Sequence, residues 1–438
     1  MLRTDRLRTF RDFIRSHNIK EFLLSDWGLT QEKEAKIVMR VLLINHFPLE
    51  GSGSGTYSGN IARYLIKNGH EVCLIFPENA IPEEIAGAKS SLVYFNKEGQ
   101  NSSALPYNFP CFTTHPRSNT TFADLDQNEL AQYLAAFDQV IAERIAAFRP
   151  DIVHVQHIWL LAYLVSKYQI PFVITTHGTD LIGYEKWPEF RRFCDIAANN
   201  CARIIAISRD NHQSVLKIFP RAKNKTLLMP NGYNSDIFYL EETDRAALLA
   251  EYGISYDKEL IILFAGKLTA VKGLDTLLLA AREYEKSQPG NIITVIAGTG
   301  EKKEELWQLK EELKLNSVYF IGHRNQNELR LLYSNADIFV MPSRYEAFGL
   351  VALEAMACGL AVVASNVGGL PDFIGSEVGT LVQPDDPKAL CNAIIQEISQ
   401  TQKNKERKSE IAQYAFKHYS QEKFTSKLEE VYRQCLIT

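Results

Sequence analysis

The sequence predicts an α/β protein made of two doubly wound, parallel-sheet halves facing one another across a cleft. Three observations carry that prediction. Apolar runs of strand length alternate with segments of helical composition along most of the chain, an order that implies a parallel sheet wrapped by helices. The alternation runs through twice, on either side of a charged, irregular stretch at 238–252 that follows Pro230-Asn231-Gly232. With 438 residues the chain is also too long for one ordinary core.

Residues 1–36 read as a helical extension of mixed charge, with Leu7, Phe10, Phe13 and Ile14 at helical spacing. Packed on the body it is one more helix; with its arginines it is alternatively a peripheral contact at the inner face of a membrane. Residues 37–238 form the first domain, with strands expected at 41–45, 71–76, 152–156, 172–176, 203–208 and 226–229. The glycine-rich segment 51–60 reads as a loop leading into a helix at 61–67, and residues 81–121, rich in Pro, Asn, Ser and aromatics, read as long loops. Residues 239–418 form the second domain, with strands expected at 260–265, 292–297, 318–321, 338–341 and 361–365. The charged segment 403–434 reads as two terminal helices.

Composition narrows the class. A formal net charge of −4 argues against nucleic acid as a bulk electrostatic partner. Seven scattered cysteines without a Cys-x-x-Cys pair suit reduced thiols in a cytoplasmic protein and suggest no metal site. No apolar signal core follows the basic start, and the run Ile158-Trp159-Leu160-Leu161-Ala162-Tyr163-Leu164-Val165 falls well short of the roughly 20 residues a spanning helix needs.

The most informative segment is Pro342-Ser343-Arg344-Tyr345-Glu346-Ala347-Phe348-Gly349-Leu350, which runs on to Glu354. An apolar strand ends, a loop carries one carboxylate, and a helix opens at Phe348-Gly349-Leu350 with a second carboxylate inside it. Free N–H groups at a helix start suit a phosphate, and a carboxylate can accept both hydroxyls of a ribose diol. An isolated pair of this kind is more often a surface Glu and a salt-bridged Glu, so the other segments matter. Lys267 and Lys272, five apart in a strand-to-helix loop, can neutralise a diphosphate leaving group. The loops holding Gly298, His323-Arg324 and Gly368-Gly369 follow strands of the same half and are candidate contacts to phosphate, base and sugar.

In the first half, Gly53 and Gly55 stand where backbone N–H groups could approach an anion. The spacing fits neither the nicotinamide fingerprint nor a P-loop. His177, just past a strand end and followed by Gly178, can exchange a hydrogen bond with a sugar hydroxyl, with Asp180 orienting a nearby group. His154 and His157 point to opposite faces of one strand, so they cannot chelate together and read as packing or solvent-exposed residues.

On these segments, from about residue 39 to the C-terminus, the chain resembles the retaining GT-B glycosyltransferases of family 4 (group 1). Glu346 and Glu354 match that family's E-x7-E motif. The resemblance implies two Rossmann-like domains, an acceptor-binding first and a donor-binding second, with a C-terminal helix at about 419–438 packing back on the first. It implies that Glu354 holds the nucleotide ribose, that Glu346 and His177 lie beside the donor sugar, and that the Phe348-Gly349-Leu350 backbone meets sugar and phosphate. Lys272 would contact the diphosphate; Lys267 stands where the family usually has Arg, a point charge in place of a bidentate fork. Gly53 and Gly55 match the glycine loop, and Asn231-Gly232 the turn before the second domain, with Asn234 where Asp is frequent. The implied reaction moves a hexose from a nucleotide-diphosphate sugar, UDP favoured, to an acceptor by front-face attack, with no cofactor, metal or protein nucleophile. The acceptor is unread. Two other classes stay open on the residues alone: a non-catalytic nucleotide-sugar binding or scaffold protein, and an NAD-dependent oxidoreductase, for which Phe76-Pro77-Glu78 is a weak ribose signature.

Overall fold

Parallel strands buried on both faces need near-continuous apolar sequence, and the runs around Leu42, Val153, Ile174, Leu263, Val340 and Val363 supply it. The computed structural model describes residues 38–95, 104–113, 115–257, 259–287 and 292–437; the expected N-terminal extension with Leu7, Phe10 and Phe13 lies outside them. The first sheet comprises β1 (Arg40–Ile44), β2 (Glu71–Glu78), β3 (Ala88–Tyr94), β4 (Ile152–Gln156), β5 (Phe172–Thr176), β6 (Arg203–Ala206) and β7 (Thr226–Leu228). Its order is β3-β2-β1-β4-β5-β6-β7, every pair parallel. The second comprises β8 (Leu260–Ala265), β9 (Ile292–Ala297), β10 (Val318–Gly322), β11 (Ile338–Met341), β12 (Ala361–Ser365) and β13 (Gly379–Val382). Its order is β10-β9-β8-β11-β12-β13, again all parallel. Each fully buried side chain of the kind found at Phe339 or Ile338 contributes about 1.5–3 kcal/mol to folding.

Both sheets are therefore doubly wound, and each reverses direction once. The reversal falls between β1 and β4 in the first sheet and between β8 and β11 in the second. Crossovers leave such a point on opposite faces and open a crevice at the carboxyl ends of the two strands, where ligands of open α/β sheets bind. The segments after β1, β4, β8 and β11 are thus the ones topology places at the crevices.

Two strands depart from the expectation. β3 lies within the segment read as long loops, and β13 follows the last strand expected in the second half. Both are sheet edges, half-exposed, and one carries the exposed residues Lys89 and Ser90 near its start. An edge strand with one wet face lacks the apolar run that marks its buried neighbours. The loop reading of 51–60 also fails in part: the helix begins at Gly53 and runs to Lys67. Ser52, extended at φ −139°, caps it by accepting the Gly55 N–H at 3.0 Å. Gly55 is required there because a Cβ would lie 2.2 Å from the Pro48 carbonyl oxygen.

The charged C-terminal segment forms the helices Arg407–Tyr419 and Gln421–Ile437. The second packs Phe424, Leu428 and Tyr432 into one apolar cluster with Tyr57, Ile61 and Leu65 of the first domain. Asn68 Nδ2 donates to Glu429 at 2.7 Å on the same contact.

Candidate active site

At the crevice of the second sheet, the segments after β8 and β11 meet. Lys272 ends a short 3-10 turn after β8, and its Nζ lies 2.5 Å from Oε2 of Glu346 in the segment after β11. Both side chains are mostly buried, so the pair is stronger than a surface ion pair. The carbonyl of Glu346 accepts the Gly369 N–H at 3.1 Å, which fixes the loop from the other side. Gly349 then caps the helix Leu350–Ala357 at φ 100°, and a Cβ there would meet Leu370 Cδ2 at 2.5 Å. A side chain at this position would be both strained and obstructed, so only glycine lets the loop enter the helix here.

The two motif carboxylates sit in different environments. Glu346 has its lysine. Glu354, 5% exposed on the helix, is pushed up to about 8 by burial, which keeps its carboxyl protonated at neutral pH. Burial also lowers the ammonium pKa of half-buried Lys267, with Lys272 adding to the effect and Glu301 opposing it. Lys267 is close enough to influence Cys111 and His115, so it faces the first domain. Gly298 and Gly322 join the ends of β9 and β10, with the Gly298 N–H donating to the Gly322 carbonyl at 2.8 Å. Arg324 is held within its own turn: it donates to Glu328 at 3.2 Å and to the Ile321 carbonyl, and lies 5.1 Å over the Tyr252 ring. Its two terminal nitrogens thus face local partners, whereas its buried Nε has no hydrogen-bond partner among the described residues.

At the first sheet's crevice the imidazoles are neutral. His177 follows β5, and its Nε2 lies 3.0 Å from Gln156 Oε1 at the end of β4. A carboxamide oxygen only accepts, so in this pairing Nε2 carries the proton and Nδ1 is left as an acceptor. Tyr57 meets the imidazole edge-on at 5.1 Å. Burial drives His177 and His46 down to about 3, and His157 well below its usual value with help from His177 and His46. Asp180 is raised to about 6 by burial, against four backbone N–H donors that favour the carboxylate. It accepts from the His177 N–H at 3.1 Å and the Ile158 N–H at 2.9 Å, so it orients two backbone segments and not the imidazole itself.

Of the packing and solvent readings of His154 and His157, packing holds for His154, whereas His157 joins the site. Neither is solvent-exposed, and the two have separate roles. His154 is buried between Tyr432 Oη and Thr175 Oγ1, each at 2.7 Å. His157 lies just past β4 at φ 70° with its ring 4.7 Å from that of His177, so it belongs to the crevice. Its signal was its place one residue past a strand end, the same feature that singled out His177. Neither ring nitrogen of His157 has a hydrogen-bond partner among the described residues, and its Nδ1 lies 3.9 Å from Asp180 Oδ2. Gln156 and Tyr57, also at the site, carried no sequence signal beyond their elements.

The crevices close on each other at Gly178. At φ 88°, it has a Cβ position only 2.6 Å from Tyr345 Oη and 3.2 Å from Ala347 Cβ, so the His177 loop abuts the loop bearing Glu346. Arg209 N–H also donates to Asp372 at 2.6 Å between the domains. His177 and the Lys272–Glu346 pair therefore line one cleft. Gly53 begins its helix with open space around its Cβ position, on the first-domain side. Among the described residues no cluster of three His, Cys, Asp or Glu side chains could hold a metal ion, and no helix is long and apolar enough to cross a membrane.

Comparison with known proteins bears on the fold and the family. Residues 51–237 match the family described as Glycosyltransferase Family 4, and residues 250–418 the one described as Glycosyl transferases group 1. A D-inositol 3-phosphate glycosyltransferase of Corynebacterium urealyticum is 32% identical over 339 residues, covering 71% of this chain and 78% of that protein. Among solved structures, sucrose-phosphate synthase from Thermosynechococcus elongatus superposes with a TM-score of 0.71 at 22% identity, over 90% of this chain and 98% of the other. Anabaena HepE, solved in complex with UDP and glucose, gives 0.68 at 20% identity, over 90% and 100%. These likenesses displace the nicotinamide alternative. Two doubly wound sheets, a lysine–carboxylate pair at the second switch point and both family matches lead to one statement: the chain belongs to the group 1, family 4 glycosyltransferases and has their GT-B fold.

Proposed function

We propose that the protein transfers a hexose from UDP-hexose to an acceptor hydroxyl with retention of configuration and without a metal ion. The observation that carries this reading is the Lys272–Glu346 pair at the switch point of the second sheet, beside a helix start and opposite His177. Lys272 and the N–H groups at Leu350 and Val351 would take the diphosphate, giving positive charge where the leaving group becomes negative. Lys267 adds a second ammonium near that charge. Glu354 would accept the two ribose hydroxyls, and Glu346, exchanging its lysine for substrate, would face the hexose. The UDP and glucose bound to HepE, which shares the fold, support this choice of donor class.

His177 is held neutral by burial, so its free Nδ1 would accept from a hexose hydroxyl without adding positive charge beside a cationic sugar. In the reaction the bond from the anomeric carbon to the diphosphate oxygen breaks, and a bond from the same face to the acceptor oxygen forms. The acceptor proton passes to the departing diphosphate oxygen, so no protein nucleophile takes part.

The test uses water as the slow acceptor. The chain is incubated with UDP-glucose and EDTA, and the released sugar is followed by NMR before mutarotation. α-Glucose appearing first supports the reading; β-glucose first, or turnover restored only by a divalent cation, overturns retention or metal independence respectively.

A further inference from the structure

Arg344 ties together three segments that the sequence leaves far apart. Its backbone N–H donates to the Val271 carbonyl at 2.7 Å, and its Nη1 to the Ala270 carbonyl at 2.5 Å. Its Nη2 reaches Asp275 Oδ2 at 2.6 Å, in the first turn of the helix Leu274–Ser287, and its Nε reaches Asp385 Oδ1 at 2.8 Å. Asp385, at φ 58°, lies between β13 and the helix Pro387–Lys403, and also accepts from Thr276 Oγ1 at 3.4 Å. One residue along from Val271 is Lys272, and two along from Arg344 is Glu346. The guanidinium therefore clamps the two segments whose side chains form the 2.5 Å Lys272–Glu346 pair.

We propose that Arg344 is a positioning residue that sets the reach of Lys272 and Glu346 toward the donor diphosphate and hexose. The inference rests on the reading of that pair as donor contacts. Two carboxylates and a carbonyl engage all three nitrogens of Arg344, so its guanidinium is directed at protein partners in this structure. A planar fork is needed because the acceptors come from three directions, and a lysine ammonium on a flexible stem cannot reproduce that geometry.

The experiment is calorimetric titration with UDP of the full chain and of Arg344→Gln, Arg344→Lys, Lys272→Met and the Arg344→Gln/Lys272→Met double variant. Thermal melting of each establishes that it is folded. Arg344→Gln is expected to weaken UDP by about tenfold, and Arg344→Lys to rescue little of the loss. In the Lys272→Met background the same Arg344→Gln change should cost less than about twofold, since its effect runs through the missing lysine. Equal losses in both backgrounds overturn the proposal, and full rescue by lysine replaces it with a direct charge contact. A wild-type chain that binds no UDP at all defeats the functional reading first, and this inference with it.

Discussion

The two crevices solve opposite electrostatic problems with the same topology. At the second sheet, Lys272, Glu346, Arg344 and their partners form an ionic network on loops. At the first, His46 and His157 are buried, His177 is half-buried, all three are held neutral, and the carboxylate of Asp180 points at backbone N–H groups. A diphosphate leaving group calls for fixed positive charge, whereas the hydroxyl end of the substrates calls for neutral donors and acceptors that do not compete for that charge. On the proposed function, the diphosphate charge is thus met in the second domain, while the neutral first-domain imidazoles meet only hydroxyls.

Variants of the two sides should break along this line. The largest effect is expected for His177→Ala, whose turnover should fall about 10²-fold while its UDP affinity stays within about twofold. Steady-state kinetics beside calorimetry reads the two quantities, and an equal loss in both would erase the distinction. Lys272→Met should instead lose about 2–3 kcal/mol of UDP binding, the size of a charge-assisted contact.

Titration sharpens the comparison. Three first-domain histidines, His46, His154 and His177, have folded pKa values near 3, below the usual 6.5. Their stabilisation is full above about pH 6.5 and is lost as pH falls through the folded values, each contributing a slope of about 1.4 kcal/mol per pH unit between. Glu354 runs the other way. Raised to about 8, its carboxyl stabilises the ligand-free chain below the ordinary 4.5 and loses that contribution as pH climbs through 8. Denaturant melts across pH 4–9 should show the acid loss in the wild type, and Glu354→Gln should flatten only the alkaline side. UDP binding should also expel a proton below pH 8, because diol hydroxyls donate to the ionised form; calorimetry in buffers of different ionisation enthalpy reads this, and Glu354→Gln should abolish it.

The smallest effect is geometric. Gly349→Ala, at φ 100°, should cost about 1–3 kcal/mol of stability, seen as a lowered melting temperature. An unchanged melting temperature would mean that the helix start can shift without penalty.

Sequence exposed these regions unequally. β1, β4, β5, β8, β9, β11 and β12 read directly as apolar runs, because strands buried on both faces tolerate little else. Of the four edge strands, β7 and β10 also read, whereas β3 and β13 did not. Serine and glycine disguised the helix start at Gly53, since only the cap at Ser52 signals it and glycine weighs against a helix. The Glu346–Glu354 spacing marked a ligand segment, yet spacing alone could not tell that one carboxylate has a lysine and the other is buried. His157 was set aside by strand alternation, and a left-handed backbone just past β4 turned it back toward His177. Arg344 drew no attention because its partners lie on segments up to 74 residues away.

The division of labour is tested most directly by titrating the purified chain, His177→Ala and Lys272→Met with UDP, GDP and ADP in EDTA. The account predicts saturable binding of a nucleoside diphosphate, UDP first, by the wild type, kept in His177→Ala and largely lost in Lys272→Met. Binding that needs a divalent cation, or that His177→Ala loses as heavily as Lys272→Met, would contradict it.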